Sequence, residues 1–134
     1  MLHKDLYAYL KDTAEITELF SGRIFHEWSP QATEKWPSLV FFLTSQNEIA
    51  EDMEEPGNEK IDQSNYQFDV YGRKSAKVTE VAKAFDGVFR NFVGTMGATR
   101  VQRIALGNIS HLGEIVGDKQ VRRVSMDYAI FHDA

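Results

Sequence analysis

The chain contains no cysteine. This absence excludes disulfide bonds, catalysis by a thiolate, and zinc or iron–sulfur sites built on cysteine ligands. The sequence also lacks a run of about 18 apolar residues that could span a bilayer. Its first residues lack the basic segment followed by an apolar stretch that marks a secretory signal. We therefore expect a protein with no membrane partner, which stays in the cytoplasm or in whatever is assembled there.

The motifs of common catalytic and cofactor sites are missing too. No serine lies in a Gly-x-Ser-x-Gly turn, and residues 94–97 lack the length and the lysine of a phosphate-binding loop, so we interpret them as a helix terminator. Asp52 and Glu54 lack the spaced oxygen ligands of a calcium loop. The four histidines are dispersed and never stand four residues apart: His3, His26, His111 and His132. The sequence predicts no catalytic residue, no metal and no cofactor.

The composition fits one domain. The 134 residues are 43% hydrophobic and 12% aromatic, and a chain of this size buries roughly two thirds of its unfolded surface. A net charge of −5 argues against affinity for nucleic acid. Arg122 and Arg123 form no basic patch, because neighbours on a strand point to opposite faces.

The net charge is concentrated in one segment. Between residues 48 and 60 the sequence has one lysine and six acidic residues: Glu48, Glu51, Asp52, Glu54, Glu55 and Glu59. Pro56 and Gly57 interrupt any periodic structure, so residues 46–60 are predicted to be a mobile acidic loop between two strands. The loop either is merely solvated or docks on a partner, with Ile49 and Met53 as apolar anchors.

Apolar spacing predicts the elements around this loop. Residues 2–20 have helical spacing interrupted near Asp12, which indicates one helix or a broken pair, ended by Ser21 and Gly22. Residues 23–28 are predicted to be extended. Residues 39–43 are apolar at every position, which is typical of a central strand buried on both faces. Residues 66–71 alternate, as in a strand with one core face, and Gly72 ends that strand.

The strongest pattern is a helix that follows. With Ser75 as cap, its apolar residues form one stripe over four turns: Val78, Val81, Ala82, Phe85, Val88, Phe89 and Phe92. After it, residues 99–106 are predicted to be a strand, residues 107–118 a loop, and residues 120–131 a long strand. The expected fold class is α+β, a single domain with an antiparallel sheet and helices packed on one face. Because the last strand exceeds what a small core covers, we expect part of it to project as an edge.

The order of these elements, with a Gly-Arg-Ile-Phe segment, a Trp-Pro-Ser-Leu-Val-Phe strand and a Tyr-Gln-Phe-Asp-Val-Tyr-Gly strand, resembles the tail completion proteins of long-tailed bacteriophages. These proteins, related to tail terminators, join tails to heads. The resemblance covers nearly the whole chain. It implies a non-catalytic virion protein that is made in the host cytoplasm, assembles as a hexameric ring, caps the head-proximal end of the tail, and binds the tail tube protein and the head connector.

Several residues take candidate roles from this resemblance. The long last strand would contribute a ring interface through Arg122, Arg123, Ser125 and Asp127. The acidic loop would contact a partner through Glu48, Ile49, Glu51, Asp52, Met53, Glu54, Glu55 and Glu59. DNA would pass through the ring without being specifically bound.

Two other functions remain open from the sequence alone. One is a small-ligand-binding domain or enzyme with a pocket between sheet and helices, which a metabolite-dependent thermal shift would favour. The other is a cytoplasmic adaptor without a role in virions, which absence from purified particles would favour.

Overall fold

The computed structural model describes residues 2–27, 35–49, 61–116 and 119–133. The chain is one α+β domain, so the predicted fold class is confirmed. Its elements follow in the order α1 (Leu2–Asp12), α2 (Ala14–Phe20), β1 (Ile24–His26), β2 (Ser38–Ile49), β3 (Ile61–Gly72), α3 (Ser75–Phe89), β4 (Gly94–Met96), β5 (Thr99–Val116) and β6 (Lys119–Asp133).

The N-terminal helical segment is a broken pair, as the interrupted spacing predicted. The Thr13 hydroxyl donates to the Tyr9 carbonyl oxygen at 2.6 Å, and the Thr17 hydroxyl donates to the Lys11 carbonyl oxygen at 2.7 Å. The Tyr9 carbonyl oxygen also accepts the Thr13 backbone N–H at 3.0 Å, so side chains add hydrogen bonds to the carbonyl groups at the end of α1. The turn after α2 has positive φ at the residue before Gly22 as well as at Gly22 itself.

The strands form one sheet in the order β1-β2-β3-β6-β5-β4. All neighbours are antiparallel except β1 and β2, which run parallel. Helix α3 packs on β3, β6 and α2, while α1 packs on α2, β1 and β4. One core cluster unites all three helices with one face of the sheet. The helices therefore lie on one side, as predicted, whereas the parallel pair departs from the predicted antiparallel sheet.

Phe68 lies at the centre of this core. Its ring centroid is 5.4 Å from that of Phe85 and 4.9 Å from that of Phe89, both on α3. It is 5.5 Å from the ring centroids of Phe41 and Tyr128 on the neighbouring strands. Aromatic pairs of this kind add about 0.5–1.5 kcal/mol each beyond the burial of area. Phe68 thus connects the sheet to α3.

Helix α3 carries the predicted apolar stripe, with small differences at its ends. Its buried members are Val78, Val81, Ala82, Phe85 and Phe89. Ser75 is the first helical residue and Lys74 the N-cap, where the sequence predicted Ser75 as the cap. Phe92 lies beyond the last helical residue and packs against Tyr9, with ring centroids 4.6 Å apart. Residues 94–97 do not simply terminate the helix, because Gly94–Met96 form β4.

A smaller cluster covers part of the opposite face of the sheet. Val40, Tyr71 and Val121 are buried there, and Trp36 packs against them. The prediction that residues 39–43 are buried on both faces holds for the first three of them. Leu43 is 45% exposed, because it lies past the end of β1 and lines a cavity on the helix side.

The prediction of a loop over residues 107–118 is wrong for residues 107–116. Strand β5 continues to Val116 and pairs with β6 throughout, with register shifts between Val101 and Arg103 and between Leu106 and Asn108. Gly107 is the extra residue of the second irregularity. A glycine inside a strand often marks a bulge, at which the strand bends and continues.

Candidate interaction surfaces

Strand β6 carries the predicted ring residues Arg122, Arg123, Ser125 and Asp127. The prediction that part of this strand is an edge is wrong for the stretch that carries these residues, because residues 122–132 pair with β3 on one side and with β5 on the other. Residues 119–121 extend past the end of β3 and pair with β5 alone among the described strands. It is long because its neighbours are long, 12 residues in β3 and 18 in β5. Alternation places Arg122 on the helix side and the other three on the opposite face. Contact of these residues with another copy stays a prediction.

A buried carboxylate holds one of these residues within its own chain. Asp69 is 2% exposed and accepts a hydrogen bond at 2.9 Å from the side-chain amide of Gln67. The Nη1 atom of Arg123 lies 3.9 Å from Oδ2 of Asp69. A buried carboxylate needs compensating partners, and Gln67 and Arg123 supply them within the chain. The pair of Arg123 and Asp69 therefore contributes to the fold of the domain itself. Asp127 is the exposed member of the predicted set.

The face away from the helices is rich in uncharged polar side chains. The Asn65 side-chain amide donates to the Ser45 hydroxyl at 2.8 Å, and the Gln63 side-chain amide donates to Oδ1 of Asn65 at 2.9 Å. We call this surface the amide face, and strand register assigns to it Ser45, Asn47, Gln63, Asn65, Gln67, Asn108, Ser110 and Ser125. Because these groups carry no charge, they neither attract nor repel a polyanion strongly.

Two stretches of backbone at the sides of the sheet have no strand partner among the described residues. The short β1 pairs with β2 only up to Phe41, which leaves the β2 open edge, residues 42–49. The short β4 pairs with β5 only up to Val101, which leaves the β5 open edge, defined here as residues 104–116. Leu43 and Ile109 are large exposed apolar residues beside these edges, 45% and 46% exposed.

A cavity of about 640 Å³ lies on the helix side of β2, between the start of α1 and the sheet. His3 and His26 stack at its wall with ring centroids 5.1 Å apart, and Leu43 and Tyr66 also line it. Burial raises the pKa of Tyr66 to about 12, so its hydroxyl stays protonated at neutral pH and can donate a hydrogen bond. This is the pocket between sheet and helices that the ligand-binding alternative requires.

A second cavity, of about 400 Å³, adjoins the first along His3, Leu43 and Tyr66. Its floor contains a buried hydrogen bond of 2.7 Å between the Ser64 hydroxyl and Nε2 of His132. The other ring nitrogen of His132 lies 2.9 Å from the Asp133 carbonyl oxygen. Both nitrogens of this histidine therefore have partners within the chain.

The described ranges contain neither a cluster of metal-ligating side chains nor a helix that could span a membrane. No group of three or more histidine, aspartate and glutamate side chains there is placed to hold a metal ion. No helix in the same ranges is long and apolar enough to cross a membrane.

The predicted acidic loop falls only partly within the described residues. Glu48 and Ile49 lie at the end of β2, in register with Asp62 and Ile61, so the loop cannot begin at residue 46 as predicted. The remaining candidates lie outside the described residues: Glu51, Asp52, Met53, Glu54, Glu55 and Glu59.

Sequence reasoning missed both open edges. It assigned residues 46–49 and 107–116 to loops because the first stretch leads into the acidic run of residues 48–60 and Gly107 interrupts the second. One signal was present in the β5 stretch. Residues 104–116 contain neither proline nor lysine nor arginine, a composition unlike that of most solvated loops.

Comparisons with known proteins complete this description. No protein-family model and no curated protein matches the chain. A similar fold occurs in a solved structure described as "Virion of native gene transfer agent (GTA) particle", with a TM-score of 0.57 and 14% sequence identity. The alignment covers 98% of this chain and 91% of that chain. The likeness shows a common fold that extends over the whole domain.

Proposed function

We propose that this chain is a structural protein of a phage-like virion that caps the head-proximal end of the tail and joins it to the capsid connector. The observation that carries the proposal is the likeness to a chain of the gene transfer agent virion over 98% of this chain. The sequence resemblance to tail completion proteins points to the same kind of particle and supplies the tail-capping role.

In this proposal the chain acts through surfaces and catalyses no reaction. Copies assemble in a ring, which the resemblance implies to be hexameric, between the tail tube protein and the connector of the filled head. A heterologous contact repeated around an axis closes such a ring. Asp127 and the amide face are available for contacts on one side of the sheet, while the helices cover the other.

The acidic segment has a proposed role as a docking element. Its carboxylates would contact the tail tube or the connector, with Ile49 and Met53 as apolar anchors, and several copies in a ring would add many weak contacts. Deletion of residues 51–55 should then lower the number of tailed particles. Unchanged joining would remove this role and leave the rest of the proposal in place.

The ring would let DNA pass without binding it. The chain has a net charge of −5, and the amide face offers no cluster of bases for phosphate contacts. Weak DNA binding by the purified chain, measured by fluorescence anisotropy at low salt, is the expected result. Tight binding of DNA at low salt would contradict the proposal that the ring lets DNA pass without binding it.

Localisation in purified particles tests the proposal. Mass spectrometry of density-purified particles should find the chain in a small fixed number of copies. A peptide tag at the C-terminus, detected with gold-labelled antibody, should appear where head meets tail. Absence from particles that are otherwise complete, or a label spread over the capsid, would overturn the proposed role.

The cavity beside His3 and His26 favours one second candidate, a small-ligand-binding domain. An open cleft of about 640 Å³ has a volume within the usual range for small-molecule sites. A saturable rise in melting temperature with a metabolite, lost in His26→Ala and retained in the exposed control Lys83→Ala, would support it. No shift across a broad metabolite screen would count against it.

A further inference from the structure

We infer that copies of this chain join edge to edge: the β5 open edge of one copy pairs with the β2 open edge of the next, so that one sheet continues from copy to copy. This interface deepens the proposed function, because it names the contact from which the ring would be built. It also replaces the predicted use of β6 as an edge, since residues 122–132 of β6 are paired on both sides.

Strand direction favours this pairing. Each step from β2 to β3, from β3 to β6 and from β6 to β5 is antiparallel, so β2 and β5 run in opposite directions. A rotation about an axis along the strands keeps these directions. The β5 open edge of one copy therefore meets the β2 open edge of the next in antiparallel orientation, which forms the regular ladder of hydrogen bonds.

The side chains beside the two edges also match face by face. On the helix side, Leu43 of β2 and Ile109 of β5 are both about half exposed. On the opposite face, Ser45 stands beside one edge, and Asn108, Ser110 and Leu112 stand beside the other. Pairing at Asn108 or Ser110 would bring apolar side chains together on one face and hydroxyl and amide groups together on the other. Cross-strand pairs of this kind contribute roughly 0.2–1 kcal/mol each.

Both edges lack the two residue types that most often prevent pairing. Folded proteins place lysine or proline on exposed edge strands to prevent association. Residues 42–49 and residues 104–116 contain no lysine, arginine or proline, and one glutamate each. Edges of eight and thirteen residues without lysine or proline are expected of strands that another chain covers.

Bulges give the sheet the bend that a closed assembly needs. The irregularity of β2 follows Leu43 and the second one of β5 follows Leu106. These two residues stand in one row across the sheet, through the paired Tyr66 and Tyr128. A bulge bends its strand and increases the local twist, so two in one row bend both sides of the sheet at the same level.

Cysteine cross-linking tests the pairing directly, since the chain has no cysteine of its own. Ser45→Cys is combined in turn with Ala105→Cys, Asn108→Cys and Ser110→Cys, which share a face of β5 and sample three registers, the first at the level of Ser45 itself. Within one copy, β2 and β5 are three strand spacings apart, about 14 Å. A disulfide requires Cα atoms closer than about 7 Å, so any disulfide in these variants joins two copies.

The variants are expressed in particle-producing cells in place of the original chain, and soluble chain and purified particles are oxidised and run on non-reducing gels. We expect one double variant to convert most of its single-copy band into a ladder of covalent oligomers. Each single cysteine variant should give no ladder. The matched control is Ser45→Cys with Ile109→Cys, whose side chains lie on opposite faces and should not cross-link.

The outcomes separate this interface from the proposed function. If the chain is in particles but no double variant cross-links, the edge pairing is wrong and the virion role stands. If Asn108→Cys alone forms dimers, β5 pairs with itself and the proposal is again wrong. If a ladder forms but the chain is absent from particles, the pairing stands and the virion role is wrong. If no ladder forms and the chain is absent from particles, the edge pairing and the virion role are both wrong.

Charged substitutions give a second, independent test. Leu43→Lys and Ile109→Lys each place a charge beside one edge, while Ala84→Lys adds the same charge at an exposed position of α3, away from both edges. All three should keep the melting temperature of the original chain. We expect the first two to lose incorporation into particles and the third to retain it. Equal incorporation of all three would contradict the pairing.

Discussion

Phe68→Ala should remove a large part of the stability of this domain. The Phe68 side chain is fully buried and its ring contacts aromatic rings on two neighbouring strands and on α3. Truncation of a buried phenylalanine to alanine costs about 3–5 kcal/mol, compared with a total of about 5–15 kcal/mol for a typical domain. A loss near 4 kcal/mol is expected because five surrounding rings cannot all move into the space.

Urea unfolding measured by circular dichroism checks this magnitude. With a slope of about 2 kcal/mol per molar urea, the midpoint should fall by about 2 M. The matched control is Val93→Ala, since Val93 is 72% exposed and a change there should stay within about 0.5 kcal/mol. A loss below about 1 kcal/mol at Phe68 would show that the core does not depend on this contact between sheet and helix.

Three further predictions concern stability. Gly97→Ala should lower the melting temperature clearly, because Gly97 has φ +57° and a new Cβ would collide with a carboxylate of α1. Gly87→Ala should raise the melting temperature, because Gly87 has open space around it in α3 and alanine favours the helix. Tyr128→Phe should lower the free energy of unfolding by about 1–2 kcal/mol, because its hydroxyl donates to an α3 carboxylate at 2.6 Å. Burial raises the pKa of Tyr66 to about 12 from 10.0. The unfolded chain therefore loses this proton first, and the contribution of Tyr66 to stability is full below pH 10 and lost as the pH rises to about 12; Tyr66→Phe should flatten that part of the pH profile.

Much of the fold was predictable because its apolar residues follow simple periods. The stripe from Val78 to Phe89 repeats at helical spacing, and Val124, Met126, Tyr128 and Ile130 alternate as a strand with one core face. Both patterns come from burial against a single partner surface, which local sequence records.

The errors arose where pairing between distant segments decides the structure. Gly107 resembles the end of a strand, but β6 pairs across it and the chain continues through a bulge. Glu48 resembles part of a solvated loop, but the register with Asp62 keeps it in β2. The edge predicted on β6 is wrong for residues 122–132 because β3 and β5 both pair with them, and strand order is a property of the whole sheet.

The candidate surfaces were predictable to a lesser degree. The acidic segment is visible in composition alone, whereas the amide face and the two open edges appear only when the strands are ordered. Arg123 shows the same limit: the sequence placed it in an interface, and the structure places it beside the buried carboxylate of Asp69.

The central claim is that this chain joins tails to heads through its surfaces, and a joining reaction in vitro tests it most directly. DNA-filled heads and tails are isolated from producing cells that lack the gene, then mixed with increasing amounts of the purified chain and counted by electron microscopy. We expect joined particles to appear in proportion to the added chain and to be rare without it. Heads and tails that join equally well in its absence would contradict the account.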